Sequence, residues 1–119
     1  MKSMLLIDGS EIIAKLFAEF FEKRGWSVGV CADREGAVER LAGGEHYDAI
    51  LLSNRVPGTT GVQLVRLIRS LDHRKMTAVV MVTGSGEVTE EALAAGADEV
   101  LLKPINPHAL VWVVDKHIS

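Results

Sequence analysis

Cysteine, proline, aromatic residues and excess positive charge are all scarce in this chain. There is one cysteine, Cys31, so no internal disulfide forms and no zinc-binding spacing exists. Flanked by apolar residues in "SVGVC", Cys31 reads as core filler rather than as a nucleophile. A formal charge of −3 and a pI near 5.8 leave no broad basic field, so nucleic acid is not an expected partner. Long apolar runs are missing too. The stretch "MKSMLLID" has only Met4 to Ile7 in sequence before Asp8, too short for a signal-peptide core or a membrane span. A cytoplasmic protein with no membrane contact is therefore expected. Internal repeats, low-complexity tracts and linkers are absent, and 119 residues that are 48% apolar suffice for a single domain over 1–119 with a real core.

What is present is a rhythm. Short apolar runs at 4–7, 28–31, 49–52, 78–82 and 100–102 have strand length. Amphipathic segments alternate with them. Ile12, Ile13, Leu16, Phe17, Phe20 and Phe21 recur with helical spacing while Glu11, Lys15, Glu19 and Glu22 fall opposite, and Gly25 supplies a stop. Asp33 is a natural N-cap for the next helix, which Gly43 and Gly44 close. Val62, Val65, Ile68 and Leu71 mark a third helix and Val88 to Ala95 a short fourth. Asn106 and Pro107 open a fifth that carries Leu110, Val111 and Val114. Five βα units predict an α/β fold, a (βα)5 doubly wound parallel sheet of flavodoxin-like type. The first, third and fourth runs are the most apolar and suit central strands, whereas the second alternates like an edge, so the order 2-1-3-4-5 follows. That order places its switch point between strands one and three, making Asp8 and Ser53 neighbours at one crevice.

Four pieces in register resemble the receiver domain of two-component response regulators over essentially the whole chain. They are "LLIDGSEI", "YDAILLSNRVPGTTGVQLV", "VVMVTG" and "GADEVLLKPI". The resemblance implies a pocket of two adjacent acids, a phosphoacceptor aspartate, a threonine or serine, and a lysine. By position these are Asp8 and Gly9, then Ser53, Thr83 and Lys103. It also implies that Lys103-Pro104 is a cis peptide, which only proline adopts cheaply.

Two of these positions depart from the family pattern. Gly9 stands for the second acid and Ser53 for the acceptor, so one carboxylate of three remains. Magnesium needs near-octahedral oxygen ligation with carboxylate charge, and Asp8 with the Arg55 carbonyl makes a poor site, so no cofactor and weak or absent Mg2+ binding are expected. A serine hydroxyl is protonated at neutral pH and needs a base to attack, and the motif places no histidine beside it. Ser53 has two readings: a reactive group, or a residue that satisfies backbone groups after its strand. With no phosphoaspartate to meet, Lys103 is expected to pair with Asp8. Glu11, close in sequence, reads as a solvated residue of the first helix.

No enzymatic activity is expected from such a pocket. The reading is a receiver-like signalling module of a bacterial two-component or related pathway that acts by protein contact without aspartyl phosphorylation. The alternative is a phosphorylatable receiver with an altered acceptor site. Trp26 is expected at the core edge and Trp112 outside, on a helix apolar nearly all round. The resemblance makes Val100 the position of a strand-five aromatic, which a valine cannot replace as a swinging switch. A partner, or a second copy, is expected across helices four and five near Val100 and Trp112. Arg66, Arg69, His73, Arg74 and Lys75 read as a solvated basic face, and Asp98 and Glu99 as caps or solvated turn residues.

Overall fold

A computed structural model describes residues 1–118. Five strands, β1 (Ser3–Ile7), β2 (Ser27–Cys31), β3 (Ala49–Ser53), β4 (Ala78–Thr83) and β5 (Glu99–Leu102), form one parallel sheet in the order β2-β1-β3-β4-β5. This is the doubly wound order expected from the sequence. Helices α1 (Glu11–Glu22), α2 (Arg34–Ala42), α3 (Gly61–Ser70), α4 (Thr89–Ala95) and α5 (Pro107–Ile118) connect and cover it.

Alternation within each strand divides the core in two. From β3, Ile50 and Leu52 enter a cluster with Leu41, Val65 and Ala92 of α2, α3 and α4. Ala49 and Leu51 point the other way, to Ala14 and Phe21 of α1 and Leu110 and Val114 of α5. A strand covered on both faces must be apolar along its covered length, which is why β3 and β4 are apolar and buried up to Ser53 and Thr83, the buried polar residues at their carboxyl ends. At the edge, β2 keeps only Cys31 fully buried. Trp26 is buried against the ring of Phe21, as expected.

Caps fix where the helices start. Ser10 Oγ accepts from Ile13 N, Asp33 Oδ1 from Gly36 N and Thr60 Oγ1 from Gln63 N. The loop after β3 is more regular than its turn residues suggest. Arg55–Val56 pairs antiparallel with Thr59–Thr60, and Gly58 supplies the positive φ, +88°, that the turn requires. Lys103-Pro104 is cis.

The basic face is corrected by the structure. Arg74 is 2% exposed: its Nε donates to Leu41 O at 3.1 Å and its Nη2 to Gly43 O at 2.8 Å and Arg40 O at 3.2 Å. These carbonyls end α2 and have no partner within it, so the guanidinium replaces the missing turn. Arg69 likewise donates to Gly96 O, Lys75 O and Thr77 O at 2.7 to 2.9 Å and to Asp98 Oδ2 at 3.0 Å. Asp98 and Glu99 are bound residues as well. Asp98 also accepts Val79 N at 2.8 Å, and Glu99 is held by His117 Nε2 at 2.8 Å and Lys116 Nζ at 3.3 Å. No helix among the described residues is long and apolar enough to cross a membrane.

Candidate functional site

The register sets Ile7 beside Leu52 and Ser53 beside Val82, so the residues after β1 and at the ends of β3 and β4 open into one crevice. Asp8, Gly9, Ser53, Thr83 and Lys103 all line a cleft of about 850 Å³ there. The sequence-derived group is brought together. Asp8 is nearly buried; its Oδ1 accepts from Ser10 N at 2.9 Å and its Oδ2 lies 3.9 Å from Lys103 Nζ. The expected Asp8–Lys103 pair is thus present, at the outer limit of an ion pair. Lys103 is anchored through its backbone, donating to Thr83 O at 2.8 Å.

Ser53 is 7% exposed and Thr83 5%. Each hydroxyl oxygen accepts a backbone N–H two residues ahead, Ser53 from Arg55 at 3.4 Å and Thr83 from Ser85 at 3.2 Å. These are the local serine and threonine turns that the backbone-satisfying reading describes. No histidine lines the cleft, and Glu11 is exposed outside it.

Gly9 is held where no side chain fits. A Cβ built there lies 2.8 Å from Arg55 O and 2.9 Å from Pro57 Cδ, and Gly9 N donates to Arg55 O at 3.3 Å. The loop after β3 occupies the space that a side chain at position 9 would need. Arg55 O, a residual metal candidate in the sequence, is therefore turned to the Gly9 amide. One carboxylate paired with an ammonium, two hydroxyls and an engaged carbonyl do not make the donor set of a magnesium site. Among the described residues no three His, Cys, Asp or Glu side chains gather to hold a metal.

Sequence reasoning missed Gly61. A Cβ there meets Ser53 O at 2.5 Å and Asn54 Cα at 2.8 Å, so only glycine lets α3 start directly beneath the Ser53 backbone. Its signal was its place after Thr60, an N-cap type, eight residues beyond Ser53. Asn54 was missed as well: its Oδ1 accepts from Val62 N at 3.3 Å and braces the same junction.

The two surface candidates separate. Trp112 is 66% exposed on α5 with Lys116 Nζ 5.3 Å from its ring, whereas Val100 is half-buried and packs with the α2, α3 and α4 side of the core. They lie on opposite faces of the sheet at its β5 edge. Leu93 of α4 and Leu102 of β5 are the more exposed apolar residues near that edge.

A family model described as response regulator receiver domain matches residues 4–115. Among curated proteins, the transcriptional regulatory protein ResD of Bacillus subtilis is 30% identical over 112 residues, 91% of this chain and 44% of its own length. Protein PetR of Rhodobacter capsulatus is 34% identical over 111 residues, 91% of this chain and 45% of its own. The chain spans less than half the length of these relatives. Among solved structures, a CheY-like receiver domain protein from Methanospirillum hungatei superposes with a TM-score of 0.92 at 26% identity, covering 99% of this chain and 94% of that one. TrrA from Thermotoga maritima, solved in complex with Mg(2+)-BeF, gives 0.87 at 25% identity and covers 98% and 99%.

Proposed function

The chain belongs to the response regulator receiver domain family, and we propose that within it this chain is a cytoplasmic signalling module that works by protein contact, without aspartyl phosphorylation and without catalysis. One observation carries the reading. Where the family resemblance places three carboxylates, the cleft presents Asp8, Gly9 and Ser53.

Phosphoryl transfer to an aspartate needs the acceptor carboxylate and a cation to neutralise the transferred charge. Ser53 offers a hydroxyl whose activation needs a base, and no histidine lines the cleft. The Thermotoga relative takes Mg(2+)-BeF; here the space of a second acid is filled by Arg55 O and Pro57.

The contact surface is the face of α4, β5 and α5, where Leu93, Leu102 and Trp112 are exposed. Val100 contributes from beneath, as a fixed valine in place of a mobile aromatic ring. Partner binding there is independent of the pocket.

The test is incubation with magnesium and a small phosphodonor such as acetyl phosphate, followed by intact mass. No base-labile gain of one phosphoryl group is expected. A stoichiometric base-labile gain, lost in Ser53→Ala, supports the altered-acceptor reading instead.

A further inference from the structure

We propose that α5 is a pH-sensitive lever: proton uptake frees its first turn from α1 through His108 and tightens its last turn on β5 through His117. The two histidines face opposite charges, and each closes one end of the same helix.

At the first turn, His108 Nδ1 stands 3.3 Å from Nη2 of Arg24, just beyond α1. A guanidinium only donates, so this contact is a hydrogen bond only while Nδ1 is bare and the imidazole neutral. Arg24 is itself fixed. Its Cζ lies 3.6 Å from the centroid of the Phe20 ring, and its Nη1 donates to Phe20 O at 3.2 Å. His108 meets the same ring edge-on at 5.4 Å, and Asn106 Oδ1 accepts from the His108 backbone N–H at 2.8 Å. Protonation turns the Nδ1 acceptor into a donor and sets an imidazolium against a guanidinium. It also places positive charge in the first turn of a helix, where the macrodipole opposes it. All three effects push the ring off Arg24.

At the last turn the polarity is reversed. His117 Nε2 lies 2.8 Å from Glu99 Oε1 of β5, which Lys116 Nζ also approaches at 3.3 Å. These contacts hold the Glu99 carboxyl below its ordinary value, so it is charged throughout the range in which imidazoles titrate. Protonation of His117 therefore converts a hydrogen bond into an ion pair. Lys116 opposes the added charge, but its ammonium is farther from the carboxylate and half exposed, whereas His117 is closer and better covered.

Between the two ends, Leu110, Val113 and Val114 stay in the apolar core, so the motion is a tilt of α5 about its buried face. Trp112 sits on the outside of the helix that tilts. The consequence for partner binding rests on the contact-face reading above; the lever itself does not.

The test is made on the full chain without a partner, by NMR from about pH 8 to about pH 5 at fixed ionic strength, a span that covers the imidazole range. On acidification the cross-peak between the Phe20 and His108 rings should weaken about two- to threefold, the size of an exposed charge contact, while that between Glu99 and His117 persists. Arg24→Met keeps an aliphatic cover on Phe20 but removes the donor and the charge, and should leave the ring cross-peak nearly constant. His108→Gln should flatten the pH response of the amide shifts at residues 20–24 and 109–111. Glu99→Gln should reduce the response at residues 115–118 and leave the first-turn release unchanged.

A constant ring cross-peak in the parent chain overturns the lever, as does equal weakening in Arg24→Met. Loss of both contacts together in the parent is general acid loosening and overturns it too. None of these outcomes touches the contact-face reading, which fails separately if Trp112→Ala changes neither self-association nor partner recovery.

Discussion

The two ends of the sheet use polar groups in opposite ways. At the amino ends of the strands, Arg69 and Arg74 spend their donors on backbone carbonyls and Asp98 at 2.7 to 3.2 Å. Asp48 is caught there by Ser3 N at 2.8 Å, and Glu99 by His117. At the carboxyl ends Asp8 takes one short bond, from Ser10 N at 2.9 Å, but the other side-chain contacts are longer: Asp8 to Lys103 at 3.9 Å, Ser53 to Arg55 N at 3.4 Å, Thr83 to Ser85 N at 3.2 Å. Saturated polar groups fix the fold, whereas the longer contacts of the cleft contribute little to it. In this chain the charged residues that matter most for stability lie far from those that define the site.

Removing a member of the saturated end should have the largest effect. Arg74→Met leaves the Arg40 carbonyl without its side-chain donor and the Leu41 and Gly43 carbonyls with His73 Nε2 alone, and should lower the unfolding free energy by about 3 kcal/mol, read by urea denaturation. A loss comparable to that of an exposed arginine such as Arg55 would erase the contrast between the ends. Next is Gly9→Ala, which forces the loop after β3 away from the added methyl and should cost about 2 kcal/mol. By the same clash, Gly9→Asp with Ser53→Asp should not by itself restore metal binding, because the loop must be displaced first. A thermal midpoint equal to that of the parent chain would show the loop to be yielding. Asp8→Asn should change stability by less than about 1 kcal/mol, since its ion pair is long and Lys103 is one-third exposed.

The smallest effect is at low pH. The hydrogen bond from His117, helped by Lys116, holds the Glu99 carboxyl below its ordinary value of 4.5. A depressed folded value means that the unfolded chain binds the proton first. The stabilisation is thus full above pH 4.5 and is lost as pH falls through the folded value. Glu99→Gln should flatten that acid limb, by less than about 1 kcal/mol because the groups are partly exposed. An unchanged slope would place the acid sensitivity elsewhere, with Asp48, lowered chiefly by Ser3 N–H, the next group to replace.

Much of this was legible in the sequence, and unevenly. The strand order came from apolar runs and their alternation, because burial on one or both faces dictates residue type directly. The crevice followed from topology, and Asp8, Ser53, Thr83 and Lys103 do share it. Arg74 was misread because its partners are backbone carbonyls more than 30 residues away, and a carbonyl has no sequence letter. The closure over Gly9 was hidden for a related reason. A glycine reports that a side chain is missing, not that Arg55 O and Pro57 fill its place. Val100 and Trp112 are close along the chain, yet strand alternation turns Val100 to the α4 side while Trp112 sits outside on α5.

The central claim is that the carboxyl-end cleft has left the magnesium-dependent state. Its most direct test is the thermal midpoint of the full chain during titration with magnesium, alone and with beryllium fluoride, since a ligand that binds only the native state raises the midpoint by mass action. The account predicts no saturable shift with either at concentrations up to about 10 mM, the range that even a weak site would register. A saturable rise with magnesium that grows further with beryllium fluoride would contradict it.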